Sequence, residues 1–231
     1  MNNAAYIPAL GRREWTGMYD WVIAVLTRER VWRSLVLTAL DPRNGEVIVD
    51  LGAGTSSLGI MIKKHAPGAR LVAVDPDPEV RLIGERKAHA AGVEIEYETA
   101  MGDAPVASVG AAGADGVTCS LVLHQCALEA KQSILENAFR LLKPGGRLVL
   151  ADYGDQPTPL MRIAFLLVQM TDGFEPTEHN RRGAIPQLLL ACGFKRTEIV
   201  ERVPTLTGLI SIWRATKEVE ASQRAAQSEQ D

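Results

Sequence analysis

Val47-Ile48-Val49-Asp50-Leu51-Gly52-Ala53-Gly54-Thr55 decides how this chain is read. Val47 to Val49 form a short apolar run, the mark of a buried strand. The glycines behind it let the backbone turn sharply into the next helix and approach a ligand closely. Many nucleotide sites use such a loop, so the glycines alone say little. Two details narrow the reading. The third glycine of the dinucleotide fingerprint would fall at position 57, which is Ser57. An acid, Asp50, ends the strand before the glycines. A carboxylate there opposes a pyrophosphate resting on the loop and the helix behind it. It suits a cofactor with a cationic amino group and no phosphate, and S-adenosylmethionine is one.

Working outward, the same logic marks the next strands. Asp75 ends a second apolar run, Leu71 to Val74, 25 residues after Asp50. An acid about 20 residues past the glycines is where a ribose diol is bound. Pro76 follows it directly. Gly102-Asp103-Ala104 is a short acidic turn that can accept from an adenine amino group and donate to a ring nitrogen. All three markers belong at the carboxyl edge of a sheet, the ligand side of an open α/β fold.

The rest of the chain supports such a sheet. Helices are expected over Ser57 to His65 and Pro78 to Ala91, the first stopped by Pro67-Gly68. Val93 to Tyr97 alternates like an edge strand, and Gly116 to Leu123 reads as a buried one. Leu135, Ala138, Phe139 and Leu142 line a helix that Pro144-Gly145-Gly146 ends, and Leu148 to Leu150 form a fifth strand. This alternation implies βαβ crossovers and a mainly parallel sheet. After Asp152 come two helices, Pro159 to Met170 and Ile185 to Ala191. Lys195 to Val203 and Leu209 to Trp213 then form an antiparallel hairpin. Before the sheet, Trp15, Tyr19, Val22 and Leu26 recur at spacings of four, three and four, on one helical face.

Composition bounds the function. Hydrophobic residues make up 46%, enough for a full core. A net charge of -3 argues against nucleic acid as a partner. Cys119, Cys126 and Cys192 show no metal-ligand spacing, so no metal is expected, and their odd number suits a reducing cytoplasm. Met1 to Leu10 lacks a signal-peptide pattern. The longest apolar stretch, Ile163 to Met170, is far shorter than the roughly 20 residues of a membrane span.

Together, Asp50-x-Gly52-x-Gly54, Asp75, Gly102-Asp103-Ala104, Leu121-Val122-Leu123-His124 and Leu142-Lys143-Pro144-Gly145-Gly146-Arg147-Leu148 resemble the class I S-adenosylmethionine-dependent methyltransferases. The likeness covers about residues 19 to 215 and is nearest to the ubiquinone/menaquinone-biosynthesis-like branch. It implies a Rossmann-like α/β fold with a seven-stranded, mainly parallel sheet in the order 3-2-1-4-5-7-6, its last hairpin antiparallel and helices on both faces. It divides the chain into a helical segment, 1–40, over the cofactor site, a core, 41–217, with a helical insertion at about 156–192, and a polar tail, 218–231, expected to be disordered. Tyr19, Pro76 and Leu121 join Asp50, Gly52, Gly54, Asp75, Gly102, Asp103 and Ala104 as expected cofactor-binding residues. The family's fullest glycine motif has a further glycine where this chain has Ser56. The Asn/Asp-Pro-Pro-Tyr motif of DNA and protein-amide methyltransferases is missing.

His124 follows the fourth strand, where an acceptor would approach, and a ring of near-neutral pKa there could be a general base. Its alternative is packing. Met161 and Phe165 suit either an apolar acceptor wall or ordinary core. The expected acceptor is small or lipid-like: a quinone-like ring, a phospholipid or a secondary metabolite. The apolar insertion leaves room for peripheral membrane contact. Two other readings stay open at this point: a nicotinamide-dependent dehydrogenase, and a non-catalytic cofactor-binding protein of the same fold.

Overall fold

In a computed structural model, residues 27–219 are described. Five parallel strands run β1 (Val47–Leu51), β2 (Arg70–Val74), β3 (Glu96–Glu98), β4 (Ala114–Ser120) and β5 (Leu142–Tyr153). A hairpin of β6 (Arg196–Thr205) and β7 (Gly208–Thr216) adds two antiparallel strands through β7. The sheet order is β3-β2-β1-β4-β5-β7-β6, as the resemblance implies. β1 has β2 on one side and β4 on the other. The connections therefore reverse there and open a crevice at the carboxyl edge.

Seven helices connect and cover these strands among the described residues: α1 (Glu29–Leu40), α2 (Ser57–His65), α3 (Pro78–Ala90), α4 (Leu128–Leu141), α5 (Pro159–Asp172), α6 (Phe174–Arg181) and α7 (Ile185–Ala191). Strand residues alternate between two cores. On one face Trp32, Val36 and Leu40 of α1, Leu58 and Ile62 of α2, and Phe165 and Val168 of α5 pack on Ile48, Val149, Ala151, Ile210 and Ile212. On the other, Leu135, Ala138 and Leu141 of α4 and Ile185 and Leu189 of α7 pack on Val49, Leu51, Val117, Leu148 and Leu150. α1 is thus part of the core. Arg147 ties its end to the sheet, donating to the carbonyls of Leu40 and Asp41 and to the Glu46 carboxylate. None of the described helices is long and apolar enough to cross a membrane.

Three local expectations change. The fourth strand stops at Ser120, not Leu123, because Leu121 takes a left-handed backbone (φ 54°). The Leu123 to Gln125 stretch is a 3-10 turn. α4 ends at Leu141, ahead of Pro144-Gly145-Gly146, which lies instead in the irregular start of β5. Finally, Phe174 to Arg181 is a helix, α6, that the Gly and Pro residues around it conceal.

Candidate functional site

Asp50 and Asp75 stand at the carboxyl ends of β1 and β2, side by side. The glycine loop is hung on β2: the amides of Gly52 and Ala53 donate to the Val74 carbonyl at 2.8 and 3.0 Å. Asp75 holds the next turn. Its Oδ2 accepts from the Gly54 amide at 2.8 Å and its Oδ1 from the Asp77 amide at 3.0 Å. A carboxylate has about four acceptor sites, so Asp75 keeps capacity for further donors. Lys87 of α3 secures the far side of the loop, donating to Thr55 Oγ1 at 2.8 Å and Ser57 Oγ at 2.5 Å.

Asp50 is buried and accepts from Thr118 Oγ1 at 2.7 Å. Burial pushes its carboxyl up to about 6; Thr118 and the Arg33 guanidinium pull the other way, and Asp75 adds to the rise. Arg33 belongs to the first turns of α1, and burial lowers its own pKa to about 10. Burial also raises Asp75. Two carboxylates crowded into a half-dry edge favour a cationic visitor. A Cβ on Gly54 would meet nothing within 4 Å, so the loop leaves space there.

Gly52 is different. A Cβ there would lie 2.2 Å from Val122 Cγ2, and its φ is +71°. Leu121, turning left-handed as β4 ends, throws Val122 onto the loop. Gly52→Ala is therefore expected to cost roughly 2–4 kcal/mol, from left-handed backbone strain and overpacking together. Urea unfolding checks it. Adding Val122→Ala should recover the overlap but not the backbone strain; a single substitution costing under about 0.5 kcal/mol would refute the contact.

Gly102, Asp103 and Ala104 follow β3. Asn137 of α4, which the sequence reading missed, fixes this turn by donating to the carbonyls of Gly102 and Ala104 at 2.8 and 2.7 Å. Asp103 is exposed, and its charge reaches Cys126 just past the 3-10 turn. Pro76 is half-buried beside Asp75. Tyr19 lies outside the described residues.

His124 sits in the 3-10 turn and is buried. Its Nδ1 contacts Asp152 Oδ1 at 2.8 Å, and its Nε2 lies 3.3 Å from Asp172 Oδ2. The ring meets Tyr153 edge-on at 5.1 Å. The near-neutral pKa expected from sequence does not hold. Burial lowers it, but Asp152 and then Asp172 outweigh that and push it up to about 9. The surroundings also escaped sequence reading. Asp152 ends β5 and accepts the amides of Leu123 and Tyr153, each at 2.7 Å. Lys131 of α4 is buried and donates to the carbonyls of Leu123, Cys126 and Pro176. Asn180 of α6 donates to the Tyr153 carbonyl at 2.9 Å. Phe165 is buried core against Tyr153 and walls no acceptor pocket, because the inward face of α5 packs on the sheet.

A methyltransferase domain family matches residues 49–148. The chain is 29% identical over 136 residues to the ubiquinone/menaquinone biosynthesis C-methyltransferase UbiE of Cereibacter sphaeroides, covering 59% of this chain and 54% of that protein. It is 33% identical over 126 residues to the demethylmenaquinone methyltransferase of Thermus thermophilus, covering 54% and 56%. The chain thus spans about half the length of the curated relatives it matches. Among solved structures, the YcgJ protein of Bacillus subtilis superposes with a TM-score of 0.67 at 13% identity, over 82% of this chain and 99% of that one. Phosphoethanolamine N-methyltransferase 2 of Haemonchus contortus, bound to S-adenosylhomocysteine, gives 0.69 at 14%, over 89% and 58%. Such identities speak to the fold alone. That fold, with β7 antiparallel beside β5, removes the support for a nicotinamide-dependent dehydrogenase. With a methyltransferase domain matched over residues 49–148, an acid-first glycine loop and this strand order, the chain is similar to the class I S-adenosylmethionine-dependent methyltransferases, and to the ubiquinone/menaquinone-biosynthesis enzymes among them.

Proposed function

We propose that this chain binds S-adenosylmethionine at the β1–β2 edge and directs its methyl group to a small, apolar, quinone-like ring. The observation that carries the reading is the pairing of Asp50 with Asp75 around an open glycine loop. The curated relatives named for quinone methylation support the acceptor class. When bound, the cofactor supplies a sulfonium methyl, so the protein's task is alignment.

In this reading Asp50 faces the amino-acid ammonium, with Arg33 near enough to pair the carboxylate. Asp75 takes ribose hydroxyls while still holding Gly54. Gly102 to Ala104 meet the adenine, and Pro76 and Leu121 close the sides of the site. A ring hydroxyl that loses its proton makes its neighbouring carbon, or its own oxygen, nucleophilic. His124 is placed to take that proton on Nε2, with Asp152 fixing the ring through Nδ1. Asp172 now occupies Nε2, so the acceptor hydroxyl has to displace it.

Titration calorimetry with S-adenosylhomocysteine between pH 5 and 8 tests the cofactor site. An ammonium binds the ionised Asp50, so affinity should be full above about pH 6 and fall below it, approaching tenfold per pH unit. Asp50→Asn should bind more weakly and lose that dependence. Binding of NAD in place of the sulfur ligand would overturn the reading. Tight cofactor binding with no methyl transfer to any of a panel of hydroxyquinones and phenols would make the chain a non-catalytic cofactor-binding protein of the same fold.

A further inference from the structure

Thr118 of β4 is the neighbour of Asp50 in the sheet. The two stand opposite each other in the parallel register of β1 and β4, so their side chains share one face. It is the face that α1 covers, and its other residues nearby, Ile48, Val149 and Ala151, are apolar. Val149 of β5 stands opposite Thr118 on the far side. Valine would suit position 118 by size and by strand preference. The chain has a fully buried threonine there instead, and its hydroxyl is spent on Asp50 Oδ1 at 2.7 Å.

Asp50 depends on that one bond. Its companion acid, Asp75, accepts two backbone amides. Asp50 is 1% exposed and, among the described residues, receives no hydrogen bond besides the one from Thr118. Its Oδ2 carries no protein donor among them. Burial is the largest influence on the Asp50 carboxyl and disfavours its charge. Thr118 opposes burial most, then Arg33 of α1, while Asp75 after β2 sides with burial. Arg33 is itself paired with Glu29, which divides its charge. Cys119, next on β4, is held as the neutral thiol by burial. A hydroxyl that donates to a carboxylate stabilises the charged form over the acid. An ammonium needs that charged form, so the hydroxyl decides how much of the protein is ready for it.

We propose that Thr118 is a positioning residue of the cofactor site: its hydroxyl orients Asp50 through Oδ1, holds the carboxylate ready for an ammonium on Oδ2, and thereby sets the acid limit of cofactor binding. This rests on the reading that Asp50 takes the cofactor's ammonium, and it is independent of the acceptor.

Calorimetric titration of the full chain with S-adenosylhomocysteine between pH 5 and 8 tests it, in Thr118→Val, Thr118→Ser and Thr118→Ala. Valine replaces the hydroxyl by a methyl and keeps the branched shape. Loss of the bond should raise the Asp50 carboxyl by about one pH unit from about 6. Affinity in Thr118→Val should then be about fivefold below wild type at pH 6 and within about twofold of it at pH 8. Serine keeps the hydroxyl and should restore the wild-type profile. Alanine differs from serine by that oxygen alone, so the pair isolates the hydroxyl if valine disturbs the sheet. Carboxyl carbon NMR of the free protein should show the same rise in Asp50 with no ligand present. An affinity loss in Thr118→Val that is equal at pH 6 and pH 8 makes Thr118 a packing residue and overturns the proposal. So does an unmoved Asp50 titration, and the cofactor reading then stands if the wild type keeps its acid limit. Wild-type binding that is flat across this range, or absent, overturns the cofactor reading and this inference with it.

Discussion

Asp152→Ala is expected to lower the stability of the fold by about 3–5 kcal/mol, the usual cost of removing one partner from a buried charge pair. Asp152 has no exposed surface and gathers five donors: the amides of Leu123, His124 and Tyr153, the His124 ring and the Asn180 amide. Truncation orphans the backbone groups and leaves a buried imidazolium with Asp172 alone. For a chain of this length the loss corresponds to a melting temperature lower by about 6–20 °C. Asp152→Asn keeps the shape and should cost less. The sign of the pH dependence follows from His124. Its folded pKa, about 9, lies above the ordinary 6.5, so its stabilisation is complete below pH 6.5 and lost as pH rises through 9. Thermal and urea unfolding of the wild type should show that decline, and Asp152→Ala should flatten it. A loss under about 1 kcal/mol with an unchanged pH profile would show that the His124–Asp152 pair does not hold this edge together.

The part of the site that sequence reading reached is the part built from consecutive residues. The acid after an apolar run, followed by glycines, located Asp50 and Asp75 because strand, turn and helix are written there without interruption. The same rule applied to Leu148-Val149-Leu150-Ala151 would have found Asp152, the third acid to end a parallel strand. What hid the rest is distance along the chain and ambiguity of type. Lys131 lies among the polar residues of an amphipathic helix and looks solvated, yet it is buried under three carbonyls drawn from two other elements. Asp172-Gly173 looks like a helix end and is one, but that end lies against His124. The fourth strand was read too long because Leu121 and Val122 are apolar. Besides the left-handed Leu121, the Asp152 carboxylate takes the amides of Leu123 and His124 from the sheet, a tertiary contact that no local pattern announces. Phe165 was ambiguous for the reverse reason: α5 is apolar on two faces, and periodicity does not say which one meets the sheet.

His124→Gln is expected to lower kcat by about 10²–10⁴, the usual contribution of a positioned general base, and to leave S-adenosylhomocysteine affinity nearly unchanged. The ring touches Asp152, Asp172 and Tyr153 but neither Asp50 nor Asp75. Its charge state gives the test a second readout. With a pKa of about 9, roughly one ring in a hundred is neutral at pH 7 and able to take a proton. The wild-type rate should therefore climb with pH toward 9, and that acidic limb should vanish in His124→Gln. Asp172→Asn should move the limb to lower pH, because one of the two carboxylates that hold the imidazolium is gone, and should lower the acceptor KM by freeing Nε2. A structural histidine would give neither shift. If His124→Gln loses less than tenfold in kcat and keeps the wild-type pH profile, His124 belongs to the packing of the β4–β5 edge, and methyl transfer rests on alignment by the cofactor loop.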